Sequence, residues 1–97
     1  MKKLTQEALS ENRDRYVVID VRSSAEFEAG HVDGALHIPL DELEGRIRDL
    51  PVDKVPVAVC NLGGRKSEEA AKKLHELGRA DGIALEGGTA AWRGKGG

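Results

Sequence analysis

An α/β fold with a largely parallel sheet is the architecture that this 97-residue sequence predicts. Three observations lead there. Two β-branched runs, YVVIDV at 16–21 and VPVAVC at 55–60, lack the alternation of a half-exposed strand and read as strands buried on both faces. Two other stretches place apolar residues at i, i+4 and i+7, the stripe of a helix that covers a core: Leu43, Ile47 and Leu50, then Ala70, Leu74 and Leu77. The two kinds of segment alternate along the chain, which favours parallel strands joined by helical crossovers.

The elements follow in order. TQEALSE, residues 5–11, reads as a short helix with Thr5 as its N-cap. Residues 12–15 read as a turn, and YVVIDV is the first buried strand. In SSAEFEAG, Ser24 caps a short helical turn and Gly30 stops it. ALHIP gives a short strand that ends at Pro39. Residues 41–50 form a helix on the Leu43, Ile47, Leu50 stripe, and Pro51 breaks it. VPVAVC is the second buried strand. The next helix carries Ala70, Ala71, Leu74 and Leu77 and ends at Gly78. GIALEGG is a last strand and turn. TAAWR is one more short helix, with Gly87 and Gly88 as its opening turn and Trp92 anchoring it to the core.

The length fits one domain, 1–97, large enough to bury a core without staples. Hydrophobic residues at 39% and charged residues at 33% are the balance of a soluble globular chain. A net charge of −2 with no basic block gives nucleic-acid binding nothing to build on. No apolar run approaches a membrane span. The opening MKKLTQEALSE has two lysines but no apolar stretch after them, so it is not a secretory signal. One cysteine cannot form an intramolecular disulfide, and a cytoplasmic location is the expectation. His31, His37 and His75 with that single cysteine show no metal-ligand spacing, and no metal or other cofactor is expected.

The cysteine is Cys60, the last residue of the second strand. In open parallel sheets, ligands bind outside the carboxyl ends of the strands. After it come Asn61, Leu62, Gly63, Gly64 and Arg65, then a helix. Two glycines allow positive φ without a Cβ clash, and successive N–H groups in such a loop converge on an anion. The helix start adds positive potential, and Arg65 a full charge with a planar fork of donors. A thiolate is favoured over a thiol in that setting, and the thiolate is the nucleophile. The bland alternative is a thiol that merely closes the core at the strand end. The glycine pair and Arg65 argue against it. GGRKS ends in Lys-Ser as a phosphate-binding P-loop does. That motif requires a glycine directly before the lysine and another five positions earlier, where Arg65 and Cys60 stand.

Three separated stretches resemble one family. DVRSSAEFEAGHVDGALHIPL (20–40), CNLGGR (60–65) and LEGGTAAW (85–92) together resemble a single rhodanese domain over almost the whole chain. The resemblance implies a three-layer domain whose central, mainly parallel sheet is flanked by helices. It also implies a thiosulfate sulfurtransferase. By position, Cys60 is the nucleophile and persulfide carrier. The amides of Asn61, Leu62, Gly63, Gly64 and Arg65 form the cradle, and Arg65 orients a small anionic sulfur donor. With one cysteine, the acceptor is another molecule: cyanide in an assay, or a small thiol, a thioredoxin-like protein or a sulfur-carrier protein.

The family loop commonly has serine directly after the arginine. Here Lys66 stands there, and Ser67 comes one place later. Lys66 either points outward or reaches the loop rim and binds the donor. The loop does not match the mercaptopyruvate-using branch. Related phosphatases and arsenate reductases carry five residues between cysteine and arginine rather than four, which disfavours that chemistry, although Lys66 occupies the five-residue place. A non-catalytic interaction module is the other alternative, and the presence of Cys60 weighs against it. Asp20 and Arg22 flank the site or, as preferred, fix the following loops through hydrogen bonds and an ion pair. Glu26 and His31 suit similar loop-holding roles, while His37 and His75 are assigned none. The terminal Gly96 and Gly97 resemble a sulfur-carrier tail, but read better as a frayed end.

Overall fold

The computed structural model of the protein describes residues 2–92. Arg93 of the expected last helix and the Gly96, Gly97 tail lie outside the described residues. The strands are β1 (Lys3–Leu4), β2 (Tyr16–Asp20), β3 (Leu36–His37), β4 (Val55–Val59) and β5 (Ile83–Leu85). The helices are α1 (Gln6–Glu11), α2 (Ser24–Ala29), α3 (Leu43–Arg46), α4 (Arg65–Glu76) and α5 (Gly88–Ala91). The strands form one sheet in the order β1-β5-β4-β2-β3, and every pairing is parallel. The predicted α/β class is therefore correct.

Period-two alternation divides the strands between two core faces. Ile19, Val21, Ala58 and Cys60 pack with Leu43 of α3 and with Ala70 and Leu74 of α4. Val18, Val57, Val59 and Leu85 pack on the opposite side with Leu4, Leu9 of α1 and Val32, and Trp92 packs against this cluster. The result is three layers, with helices on both faces. Cys60 falls on the α4 side because it is in phase with Ala58. No helix among the described residues is long and apolar enough to cross a membrane.

Several boundaries differ from the sequence expectation. Thr5 caps α1, accepting from the Ala8 N–H as predicted. Ser23, not Ser24, caps α2: its hydroxyl accepts from the Glu26 N–H while the Glu26 carboxylate accepts from the Ser23 N–H, a reciprocal capping box. The expected helix at 41–50 breaks into a 3-10 turn at Leu40–Glu42, α3, and a second 3-10 turn at Ile47–Asp49. Gly45 weakens the helix interior, and Pro51 drives Leu50 into extended backbone, φ −81° and ψ 134°. β2 ends at Asp20, although the Val21 N–H still donates to the Val59 carbonyl at 3.1 Å. β4 ends at Val59, which leaves Cys60 as the first residue of the loop. β1 escaped the sequence reading altogether, because two residues carry no periodicity.

Candidate active site

Cys60 lies at the carboxyl end of β4, near the middle of the sheet, and is only 6% exposed. Burial pushes its thiol up, yet hydrogen bonding to the sulfur outweighs this and holds it below the ordinary range. The donors are the Ser67 hydroxyl and the N–H groups of Ser67, Gly64 and Gly63. The two glycines close the short loop that Cys60 opens, and Ser67 lies in the first turn of α4. They converge because the loop is pinned from three sides.

The first pin is the β5–α5 turn. The N–H groups of Thr89 and Ala90 donate to the carbonyls of Cys60 (2.9 Å) and Asn61 (3.0 Å). This brings the two glycine turns into backbone contact. A Cβ on Gly63 (φ +74°) would meet the Gly87 nitrogen at 2.5 Å, and one on Gly88 (φ +60°) would meet the Cys60 oxygen at 2.5 Å. Only glycine supplies both the left-handed backbone and the room.

The second pin is Arg22, buried with Asp20 at the end of β2. Its Nε donates to Asp20 Oδ1 (2.9 Å), and one terminal nitrogen donates to Asp20 Oδ2 (2.7 Å) and to the Gly30 carbonyl (2.7 Å). The other terminal nitrogen donates to Asn61 Oδ1 at 3.0 Å, and Asn61 Nδ2 donates to Glu26 Oε2 at 2.5 Å. Asp20 is the main reason that the Arg22 guanidinium is held cationic, and attraction to an ionised Cys60 contributes further. Asp20 and Arg22 therefore hold loops and also set charge near the thiol. Glu26 has the loop-holding contacts expected of it, and its hydrogen bonds from Asn61 and then Ser23 keep its carboxyl below the usual range.

The third pin comes from the N-terminal segment. Lys3 Nζ donates to the Gly63 carbonyl at 2.6 Å and pairs with Glu68 at 2.8 Å. Gln6 Nε2 donates to the carbonyls of Glu86 (2.6 Å) and Gly88 (3.0 Å).

The remaining expected residues are placed less intimately. Leu62 projects from the loop, 76% exposed. Arg65 and Lys66 open α4 and are exposed, and neither side chain has a hydrogen-bond or ion-pair partner among the described residues. Lys66 lines a shallow groove with Arg22, Pro39, Leu40 and Asp41. His31 and His37 stack on Phe27, with centroids 3.8 and 4.7 Å away, and His31 Nδ1 bonds the Phe27 carbonyl. His37 Nε2 bonds the Arg22 carbonyl at 2.8 Å, a structural part not anticipated. A cavity of about 490 Å³ lies elsewhere, lined by Ser10, Arg13, Lys54 and Trp92 among others, and Cys60 is not in it. Among the described residues, no group of three or more His, Cys, Asp or Glu side chains is placed to hold a metal ion.

Ser67 was the residue missed. It is fully buried, and its hydroxyl donates to the Gly64 carbonyl at 3.0 Å, so its single proton serves either that oxygen or the Cys60 sulfur. The signal was available: extending the stripe of Ala70, Ala71 and Leu74 back one turn puts position 67 on the inner face. Position 66, four before Ala70, falls at the edge of the same stripe, and the structure leaves Lys66 exposed.

The Rhodanese-like domain family matches residues 5–95. The uncharacterized protein YqhL of Bacillus subtilis is 38% identical over 98% of this chain and 75% of its own length. The thiosulfate sulfurtransferase GlpE of Shewanella oneidensis is 36% identical over 77% of this chain and 73% of its own. Among solved structures, a rhodanese-related protein from Thermoplasma volcanium superposes with a TM-score of 0.83 at 30% identity. That superposition covers 95% of this chain and 90% of the other.

Proposed function

The chain belongs to the rhodanese-like domain family, and from that premise we propose that it moves a sulfane sulfur from thiosulfate, through a Cys60 persulfide, to a thiophilic acceptor. The observation that carries the reading is the place of the one cysteine, buried at the carboxyl end of β4 and followed by a glycine loop and the start of α4, where a ring of donors on Gly63, Gly64 and Ser67 holds its thiol below the ordinary range. Such a ring stabilises an anionic sulfur whether it is the thiolate or the terminal atom of a persulfide.

In the first step the Cys60 thiolate attacks the outer sulfur of thiosulfate. A new S–S bond forms, the donor's S–S bond breaks, and sulfite leaves with the electron pair. In the second step cyanide or a thiolate attacks the terminal sulfur, and Cys60 leaves as the thiolate. No external oxidant or reductant is needed. Arg65 and Lys66 are free to meet the anionic donor, with Asn61, Leu62, Gly63 and Gly64 lining its approach. Arg65 offers the planar fork and Lys66 a point charge on the groove beside it. Asp20 and Arg22 are supporting residues that fix the loop. The name of the Shewanella relative, a thiosulfate sulfurtransferase, supports this donor.

The chain has one cysteine, so no second thiol resolves the persulfide internally. The acceptor is therefore a separate molecule: a small thiol, a thioredoxin-like protein or a sulfur-carrier protein. A carrier thiol of this kind works in a reducing compartment, and we place the protein in the cytoplasm. Thiocyanate formation from thiosulfate and cyanide, measured beside hydrolysis of an aryl phosphate, tests the proposal. The wild type should perform the first reaction and not the second, and Cys60→Ser neither. Phosphate hydrolysis that vanishes in Cys60→Ser, with no sulfur transfer, would overturn it. The four residues between Cys60 and Arg65 are the physical reason for expecting otherwise, because a phosphoryl group needs a wider cradle.

A further inference from the structure

We propose that Lys3 is a positioning residue for the Cys60 sulfur, strengthening through the Gly63–Gly64 peptide a hydrogen bond that it does not itself make. The catalytic consequence rests on the sulfur-transfer reading, but the geometry does not. Lys3 opens β1 at the edge of the sheet and reaches the active loop from the side opposite Arg22. Its ammonium donates to the Gly63 carbonyl at 2.6 Å. That carbonyl and the Gly64 N–H are the two ends of one conjugated, planar unit. The Gly64 N–H is in turn one of the groups whose hydrogen bonding holds the Cys60 thiol below its ordinary range. A cation on the oxygen draws electron density along the unit and makes the N–H a stronger donor, as in any polarised hydrogen-bond chain. The Lys3 side chain is only 26% exposed, so solvent screens it less than a free surface lysine.

Glu68, in the first turn of α4, pairs with the same ammonium at 2.8 Å. Its charge opposes that of Lys3. The two members of the pair should therefore act on the sulfur in opposite directions. An ion pair that merely tied β1 to α4 would be lost equally by removing either partner. The other charges around the thiol are Arg22 with Asp20 at the end of β2, and Glu26 behind Asn61. Arg65 and Lys66 stand on α4, and exposed Glu86 lies in the β5–α5 turn. All of these are unchanged in the test.

The test is the pH profile of Cys60 alkylation by iodoacetamide, a neutral reagent, in the full chain. Lys3→Gln should move the midpoint up and lower the thiolate fraction below it by roughly two- to fivefold, the effect of one charge at a helix end. Alkylation there should slow by roughly 1.3- to 2.3-fold, because the remaining thiolate is more nucleophilic. Glu68→Gln should move the midpoint down. Lys3→Arg, which keeps the cation, should stay near wild type. Midpoints that shift in the same direction in Lys3→Gln and Glu68→Gln, or no shift in Lys3→Gln, would overturn the proposal. If Lys3→Gln does not fold, Glu68→Gln decides alone: an upward shift or none refutes it. Alkylation needs no sulfur donor, so its failure is separate from a failure of sulfur transfer.

Discussion

Replacing Ser67 with alanine removes one of the four donors on the Cys60 sulfur and leaves the three N–H groups. A hydrogen bond to a charged group is worth about 1.5–3 kcal/mol. The remaining donors keep the change at the low end, about one pH unit at 1.36 kcal/mol per unit. The cost to the fold is smaller, because the Gly64 carbonyl, the alternative acceptor for the same hydroxyl proton, still receives the Glu68 N–H at 3.2 Å. Thermal stability should fall by about 0.5–1.5 kcal/mol. In the folded protein the thiol lies below its ordinary value, so Cys60 contributes stability above that value and loses it as pH falls through the folded midpoint. In Ser67→Ala the contribution is smaller, and its loss is complete at higher pH. Reactivity should change in a more telling way. Below both midpoints the variant has about a tenth of the thiolate, but each thiolate is more basic and more nucleophilic, so thiol-modification rates fall only about threefold. Above both midpoints the variant should react about threefold faster. The two pH–rate curves must therefore cross. Ultraviolet absorbance of the thiolate gives the midpoints independently. Curves that keep a constant ratio at every pH, with an unshifted absorbance titration, would refute the role of the hydroxyl.

Other perturbations separate loop architecture from charge. Gly63→Ala should lower stability by more than the roughly 1–2 kcal/mol of a left-handed non-glycine residue, because its Cβ also collides with the Gly87 nitrogen and the Leu85 oxygen; chemical denaturation would show this. Gly64→Ala is the control, since its Cβ meets open space. Arg22→Met should cost about 3–5 kcal/mol in the same assay, because it strands the buried Asp20 carboxylate. Arg65→Ala should leave stability almost unchanged and lower kcat/KM for thiosulfate roughly tenfold or more. Lysine at that position should rescue only in part. Unchanged kinetics in Arg65→Ala would transfer the donor-binding role to Lys66.

The parts of the fold legible in the sequence were those with periodicity. YVVIDV and VPVAVC announced buried strands, and Ala70, Leu74 and Leu77 announced α4. What escaped was set by contacts distant in sequence. Lys3 and Leu4 form a strand only because Ala84 and Leu85 lie beside them. Gly45 and Pro51 could have warned that the 41–50 stripe would not hold a continuous helix, and the S-x-x-E spacing from Ser23 to Glu26 marked the true cap. At the site, Cys60 and its glycines were readable because a strand-to-helix turn with two glycines has a mechanical meaning. The Lys3 and Gln6 contacts were not, since nothing local predicts that an N-terminal side chain will end on a carbonyl in the active loop. The Asp20–Arg22 pair was readable as an ion pair, but its link to Asn61 was not.

The central claim is that Cys60 carries the transferred sulfur. Intact mass measured before and after thiosulfate treatment tests it most directly. The protein should gain the mass of one sulfur atom, lose it on addition of cyanide or a reducing thiol, and show no gain in Cys60→Ser. A wild-type protein that stays unmodified at every thiosulfate concentration would contradict thiosulfate as the donor. If it also stays unmodified by persulfide donors, the claim that Cys60 is a sulfur carrier fails.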